Sequence, residues 1–154
     1  MRVTICAVGR LRAGPERLLI DDYLDRFGKA GRALGLGPAK LIEVDAKGAG
    51  MATEARLLER AVPQNTKLCV LDERGTKASS PELATRLATW RDDGQHATFI
   101  IGGADGVDPA LRARADYTLS FGAMVWPHML VRVMLAEQLY RAATILAGSP
   151  YHRS

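Results

Sequence analysis

A run of glycines between residues 102 and 106 is well suited to binding a small molecule. It directly follows an apolar segment, residues 97–101, that predicts a buried strand. In open α/β sheets, ligands bind beyond the carboxyl ends of the strands, and glycines let backbone amides approach a ligand closely. A tight turn between a strand and a helix can use glycines for its own geometry, so both interpretations stay open.

Two further loops, residues 72–79 and 121–127, also follow predicted strands. The second loop leads into a helix that starts near Pro127 without a Ser, Thr, Asp or Asn to cap it. The first amides of such a helix need water, a neighbouring loop or a ligand as a partner. The pattern therefore indicates either backbone recognition of a small molecule or a water-capped helix that begins one turn later.

The residue patterns of other common functional sites are missing from the sequence. His96 is expected at the surface and His128 in the first turn of the last helix, and neither they nor His152 have metal-ligand spacing, so we expect no metal. The G-x-G-x-x-G dinucleotide motif and the phosphate-binding loop lysine are both missing, which excludes classical NAD and ATP sites. The sequence also lacks a Ser-His-Asp pattern, a carboxylate pair and a reactive cysteine motif. A terminal His-Arg tail is ordinarily frayed.

The elements that must position these loops alternate along the chain. Strands are predicted at residues 3–8, 41–44, 68–71, 97–101 and 117–120, with helices at 15–27, 52–62, 80–90 and 127–146 and a short one from 109. Ser80 is the expected cap of the third long helix. This alternation predicts an α/β fold with a mainly parallel sheet flanked by helices. The 154 residues contain no repeat or linker, so residues 1–154 are expected to form one domain.

The last predicted helix is apolar around most of its circumference. Arg132 falls nearly opposite Glu137 and Arg141, which are four residues apart and are expected to form an ion pair. A helix without one solvated face needs burial on two sides. One side is the sheet, and we expect the other to be a second copy of the chain, which makes a homodimer. A deeply sandwiched helix in a monomer is the alternative.

The composition is that of a soluble protein with a mild basic excess. The net charge is +4, and 16 of the 21 basic residues are arginines, which suits phosphate binding but also fits a coding bias. Cys6 and Cys69 lie in apolar runs and are expected as buried, reduced thiols. The sequence contains neither a signal peptide pattern nor an 18-residue apolar stretch, so a cytoplasmic location is expected, with no membrane partner.

Three motifs in order closely resemble the RlmH family, small SPOUT-class methyltransferases that act on a pseudouridine of 23S ribosomal RNA. They are Ile-Ile-Gly-Gly-Ala-Asp-Gly at 100–106, Pro-His-Met-Leu-Val-Arg at 127–132 with Glu-Gln-Leu-Tyr-Arg-Ala at 137–142, and the ending Pro-Tyr-His-Arg at 150–153. The resemblance covers the whole chain. It implies a SPOUT-type fold with a trefoil knot in the C-terminal half, and a homodimer packed through the knot helices.

The resemblance also implies a cofactor and the residues that hold it. The cofactor is S-adenosylmethionine, bound by the three loops that follow strands. The middle of the 121–127 loop departs from the family pattern, so backbone contacts transfer better than side-chain contacts. Carried onto this sequence, the cofactor-binding residues are Leu71, Gly103, Gly122, Ala123, Met124, Val125, Trp126 and Pro127.

The same resemblance implies where catalysis occurs. The C-terminal tail lies near the partner subunit's cofactor, so His152 and Arg153 are the expected catalytic residues and Tyr151 helps to position the base. Arg132 is expected to orient RNA or the tail, and Arg10 and Arg12, with Arg17, to grip phosphates. The implied reaction is methylation of nitrogen 3 of a pseudouridine in 23S ribosomal RNA within the ribosome. The alternatives are a non-catalytic ribosome-associated factor of the same fold and a related tRNA methyltransferase.

Overall fold

Five parallel strands in the order β2-β1-β4-β3-β5 form the sheet of this protein. The structure is a computed structural model that describes residues 1–46 and 48–153. The strands are β1 (Val3–Val8), β2 (Ala39–Val44), β3 (Thr66–Thr76), β4 (His96–Ile101) and β5 (Tyr117–Leu119). The helices are α1 (Pro15–Gly31), α2 (Met51–Ala61), α3 (Ser80–Asp92), α4 (Pro109–Ala113) and α5 (His128–Leu146), and a 3-10 turn (Arg32–Leu34) follows α1. The predicted α/β fold with a parallel sheet is confirmed.

Alternate residues of the central strands pack on opposite faces of the sheet. Ile5 and Phe99 belong to a larger apolar cluster with α1, α3 and α5, whereas Cys6 and Ile100 belong to a smaller one with α2. Every residue of β1 is buried, which agrees with its continuous apolar sequence and central position. The two cores hold the carboxyl ends of β1, β3 and β4 at one edge of the sheet.

Both cysteines are structural members of these cores. Cys6 and Cys69 are free and buried, as predicted. Burial raises the pKa of Cys6 to about 11 and raises that of Cys69 as well. Both thiols therefore stay protonated at neutral pH, which removes the thiolate needed for nucleophilic chemistry.

Helix α5 packs along α1 and α3 and carries the predicted ion pair. Leu135, Leu139 and Ala142 are fully buried, and Arg141 lies 2.7 Å from a carboxylate oxygen of Glu137. Near the start of the helix, Met129 and Leu130 remain exposed to solvent. One side of α5 therefore lies in the core and the outer side of its first turns is uncovered in the single chain.

The predicted end of β3 at residue 71 was wrong. Strand β3 runs on through residues 72–75, predicted as a loop, because a register irregularity lets Thr76 as well as Leu71 pair with Leu119. Gly75 is required there, since a Cβ would lie 2.8 Å from the carbonyl carbon of Thr118. Residues 72–75 therefore form an irregularity between two residues that pair with β5, rather than a free loop.

The start of α3 also differs from the prediction. Its cap is Ser79 rather than Ser80, because Ser79 and Glu82 exchange the two hydrogen bonds of a capping box. The Ser80 hydroxyl instead donates to Gln138 of α5 at 2.6 Å. His96 is the half-buried first residue of β4 rather than a surface residue before it, and its Nδ1 accepts the Arg2 backbone N–H at 2.9 Å.

The helices in the described residues are too short or too polar to serve as membrane spans.

Candidate functional site

A cavity of about 420 Å³ opens at the carboxyl edge of the sheet. It lies between the ends of β3 and β4, the loop before α4 and the loop between β5 and α5. Its volume falls within the range of small-molecule sites. Six residues predicted to bind a cofactor line it: Leu71, Gly103, Gly122, Met124, Val125 and Trp126. Ala123 and Pro127 belong to the same loop but are not part of the lining.

The glycine loop forms the floor of this cavity through contacts between backbone atoms. Gly103 and Gly106 form an antiparallel bridge, in which the Gly106 N–H donates to the Gly103 carbonyl at 3.0 Å. Gly106 has a φ of +84°, which favours glycine. A Cβ on Gly102 would lie only 2.5 Å from the Gly106 carbonyl oxygen, so the loop closes on itself without room for a side chain.

We expect Gly102→Ala to distort this loop and weaken ligand binding at least tenfold. The added methyl group clashes with backbone, which cannot move aside as a flexible side chain would. Isothermal titration calorimetry with S-adenosylmethionine checks this prediction, and Gly28→Ala is the matched control, because a Cβ there meets nothing within 4 Å. Equal affinities of the two variants would contradict it.

Ser120 shapes the loop between β5 and α5. Its buried hydroxyl donates to the Glu73 carbonyl at 2.9 Å and accepts the Gly122 N–H at 3.0 Å, while its own N–H donates to the Thr76 carbonyl at 2.9 Å. These bonds fasten the loop to the end of β3 and support the φ of +110° at Gly122. Sequence analysis missed this residue; its only signal is a lone serine at the end of a predicted strand.

The start of α5 forms another wall of the cavity. Pro127 occupies the cap position and no side chain caps the helix, as the sequence predicted. His128 lines the cavity, and its Nδ1 lies 3.3 Å from a guanidinium nitrogen of Arg132. Burial and then the charge of Arg132 lower the pKa of His128 below its usual 6.5.

A neutral His128 at physiological pH is expected from this environment. In an NMR titration of the imidazole protons, His128 should titrate below 6.5. The folded protein then loses stability as the pH falls below 6.5, because the unfolded chain takes up this proton first. A titration midpoint above 6.5 would contradict the assignment.

Charged side chains of both signs surround the glycine loop. The nearly buried carboxylate of Asp72 accepts hydrogen bonds from Arg112 at 2.9 Å and from the Arg74 backbone N–H at 2.8 Å. Glu54 lies behind Gly103, and burial together with the charge of Asp105 raises its pKa. In residues 1–46 and 48–153, His, Cys, Asp and Glu side chains do not gather into a group of three that could hold a metal ion.

Arg132 has an internal role that corrects its predicted contact with RNA or the tail. The side chain is fully buried, and its guanidinium donates to the Val8 and Gly9 carbonyls and to Glu43 at 2.9 Å. Burial lowers the pKa of Arg132, while Glu43 opposes that shift. A guanidinium without exposed surface cannot contact RNA, so this residue instead joins α5 to the ends of β1 and β2.

The other predicted RNA-binding arginines lie on the loop after β1. Arg10 and Arg12 are exposed. Glu43 holds the loop between them, because its carboxylate accepts the Leu11 backbone N–H at 2.7 Å and the Arg17 guanidinium at 3.0 Å. Arg10 and Arg12 are thus free to meet an anionic partner, whereas Arg17 is tied to Glu43.

The described part of the C-terminal tail packs on α5 rather than fraying. The Tyr151 hydroxyl donates to Glu137 at 3.1 Å, and Arg141 lies 3.2 Å from Nδ1 of His152. Burial and then Glu137 raise the pKa of Tyr151 to about 12, so its hydroxyl remains a donor. Residues 151–153 do not line the cavity of their own chain.

The structure is that of an α/β protein with a cavity of small-molecule size at the carboxyl edge of a parallel sheet. A family model described as "Predicted SPOUT methyltransferase" matches residues 1–152. The chain therefore belongs to the SPOUT methyltransferase family, and the fold class and the methyltransferase activity inferred from three sequence motifs are confirmed at that level.

Curated relatives match over their full lengths. A protein of Ruegeria pomeroyi is 70% identical over 155 residues, with 99% of each chain covered, and one of Paracoccus denitrificans is 67% identical over 154 residues, with the same coverage. Both are named "Ribosomal RNA large subunit methyltransferase H". The resemblance to the RlmH family is thereby confirmed.

Solved structures show the same fold at low sequence identity. A probable methylase family protein from Haemophilus influenzae aligns with a TM-score of 0.55 and 12% identity, over 99% of this chain and 70% of its own. A probable methyltransferase from Bordetella pertussis aligns with a TM-score of 0.53 and 15% identity, over 92% and 95%. At these identities the similarity concerns the fold alone.

Proposed function

We propose that this protein transfers a methyl group from S-adenosylmethionine to nitrogen 3 of a pseudouridine in 23S ribosomal RNA. The observation that carries the proposal is the full-length identity of about 70% to a relative named "Ribosomal RNA large subunit methyltransferase H". In this proposal residues 1–154 form a single SPOUT domain with a trefoil knot in the C-terminal half. A cytoplasmic location follows from the ribosomal substrate.

The cavity suits S-adenosylmethionine in size and in chemistry. Its volume of about 420 Å³ and its lining of backbone and apolar groups match what an adenosyl ligand requires. A Cβ built on Gly122 meets no atom within 4 Å, so this residue leaves open space in the lining. The carboxylate of Asp105 at the cavity favours a positively charged sulfonium, whereas that of Asp72 is already paired with Arg112. The cofactor supplies a methyl group that is already activated for transfer.

Catalysis then depends on orientation and on removal of one proton from the base. Nitrogen 3 of pseudouridine lies between two carbonyls and is a weak acid. A group of the tail takes this proton, either His152 once its Nδ1 leaves the Arg141 guanidinium or another group, and the guanidinium of Arg153 stabilises the anion that forms. The Tyr151 hydroxyl stays protonated and donates a hydrogen bond to Glu137, so its part is to hold the tail in place.

A homodimer completes the site in this proposal. The tail does not line its own cavity, so a second copy must bring His152 and Arg153 to it. Apolar side chains that a second copy would cover are exposed on α1, on the loop before α5 and on α5 itself: Leu18, Leu19, Met124, Val125, Trp126, Met129 and Leu130. Because α1 and α5 pack against each other, their exposed side chains offer one apolar surface for the second copy.

RNA binding is assigned to exposed arginines around the loop after β1. Arg10 and Arg12 are exposed there, and Glu43 holds the backbone between them. The net charge of +4 is modest for a protein that binds free RNA without the ribosome. The folded ribosome is therefore expected to supply much of the recognition surface, as free RNA, large subunits and whole ribosomes compared in one transfer assay would reveal.

The proposed function is tested by mass spectrometry of ribosomal RNA from a strain that lacks this gene. One N3-methylpseudouridine should disappear from 23S RNA and return when the gene is restored. Loss of a modified nucleotide from tRNA instead would indicate a tRNA methyltransferase. Unchanged RNA, combined with no heat of binding for S-adenosylmethionine in calorimetry, would indicate a non-catalytic ribosome-associated factor.

A further inference from the structure

Burying the charged side chain of Arg132 is energetically costly. Most of its contacts link α5 to the ends of β1 and β2, but one contact does not. Its exposed fraction is 0%, and its Nε has no hydrogen-bond partner among the described residues. The Val8 and Gly9 carbonyls and Glu43 account for most of its donors. The remaining contact, 3.3 Å long, is to Nδ1 of His128 at the cavity.

This contact determines which nitrogen of His128 carries the proton. A guanidinium can only donate hydrogen bonds, so Nδ1 of His128 must accept. The proton of a neutral imidazole then resides on Nε2, the nitrogen on the other side of the ring. The positive charge of Arg132 also disfavours a second proton on this ring, as the lowered pKa of His128 reflects.

The position of His128 directs that donor toward a ligand. His128 lines the same cavity as Leu71, Gly103 and Gly122 and begins α5, whose first turn has no side-chain cap. Nε2 of His128 has no hydrogen-bond partner among the residues that the structure describes. A half-buried donor with a fixed tautomer and an open side is suited to bind an acceptor atom.

We propose that His128 binds the methyl donor through its Nε2–H, and that Arg132 is the positioning residue that holds His128 in this tautomer. The acceptor is an oxygen or nitrogen atom of the methyl donor rather than of the RNA, because His128 shares its cavity with the loops that hold the cofactor. This inference rests on the proposed function in one respect, namely that S-adenosylmethionine occupies this cavity.

Calorimetry with S-adenosylmethionine tests the binding role. His128→Leu removes the donor at similar volume and should weaken binding about tenfold, the usual loss for one hydrogen bond in a ligand site. His128→Gln places an amide N–H near the original Nε2 and should stay within about threefold of the unmodified protein. His96→Gln is the matched control outside the cavity and should bind normally.

An NMR experiment tests the positioning role without any activity measurement. In protein labelled with 15N-histidine, long-range proton–nitrogen correlations should show His128 as the Nε2–H tautomer at neutral pH, and its Nε2 signal should move when S-adenosylmethionine is added. The Glu43→Leu, Arg132→Met double variant, which removes the donor together with its buried counter-charge, should lose this single-tautomer signature. An Nδ1–H tautomer in the unmodified protein, or a spectrum that the ligand leaves unchanged, would overturn the proposal.

The outcomes separate this inference from the proposed function. If the unmodified protein fails to bind S-adenosylmethionine, the assigned cofactor is wrong, which contradicts both this inference and the proposed function. If it binds and His128→Leu binds equally well, only the role of His128 is overturned. If His128→Leu binds normally but transfers methyl groups slowly, the donor acts on the RNA, which also overturns the proposal.

Discussion

Removal of residues 151–154 abolishes methyl transfer and leaves the affinity for S-adenosylmethionine unchanged. We expect a loss of about 10³-fold or more, because the deletion removes both the proton acceptor and the guanidinium that stabilises the anion. Cofactor affinity should be spared because the residues that line the cavity all lie outside the deleted segment, and the tail is proposed to act on the RNA base. Transfer of radiolabelled methyl groups to ribosomes measures the first quantity, and calorimetry measures the second.

A mixing experiment shows whether the tail acts on its own or on the partner's cavity. Gly102→Ala impairs the cavity but keeps the tail, whereas the truncated chain keeps the cavity and lacks the tail. The two chains are mixed, refolded and assayed at a concentration of S-adenosylmethionine too low to fill the Gly102→Ala cavity. Half of the dimers then contain one of each chain, and one of their two sites is complete. Activity should recover to about a quarter of the normal value.

Two outcomes would contradict the assignment of the tail. Full turnover by the truncated chain would exclude a catalytic role for His152 and Arg153. Absence of recovery in the mixture, despite mixed dimers in native mass spectrometry, would mean that each tail serves its own chain. Tyr151→Phe should reduce methyl transfer less than the deletion does, because it removes only the hydrogen bond to Glu137 and leaves His152 in place.

Glu43→Leu is expected to lower the free energy of unfolding by about 3–5 kcal/mol, because it leaves the buried Arg132 guanidinium without its counter-charge. The Glu43 carboxylate lies 2.9 Å from Arg132 and also holds the Leu11 backbone N–H and Arg17. Equilibrium unfolding in urea measures the loss, provided that the slope of the transition is unchanged.

Two control variants identify the cause of that loss. The Glu43→Leu, Arg132→Met double variant should be less destabilised than the two single variants added together, because neither buried charge then remains alone. Asp22→Ala breaks the exposed pair with Arg26, whose side chains are both 51% exposed, and should cost about 0.5 kcal/mol or less. A Glu43→Leu protein within 1 kcal/mol of the unmodified protein would contradict this account of the core.

The helices, the strands and the edge of the sheet where the cavity lies could be predicted because they depend on local sequence patterns. Continuous apolar runs predicted β1 and β4, and helical spacing predicted α1 and α5 within a few residues. Parallel strands present their carboxyl ends at one edge, so loops that follow separate strands were expected together, and six of the eight predicted cofactor-binding residues do line one cavity.

Predictions failed where a residue's partner is distant in sequence. Ser80 looked like a helix cap because its contact with Gln138, on another helix, could not be seen. Residues 72–75 looked like a loop because the pairing of Leu71 and Thr76 with β5, on either side of them, could not be seen. Arg132 was expected, from the family resemblance, to orient RNA or the tail, and only packing of α5 against β1 and β2 brings Glu43 and two carbonyls to it.

The sequence alone therefore determined the parallel α/β architecture, the sheet edge that carries the ligand loops and, through three motifs, the family of this protein. The tertiary structure decided which charges are internal, how residues 151–153 lie on α5 and which side chain faces Nδ1 of His128. The physical reason is the range of the interactions involved. Propensity and periodicity act within a few residues, whereas burial and hydrogen-bond partners depend on segments that meet only after the chain has folded.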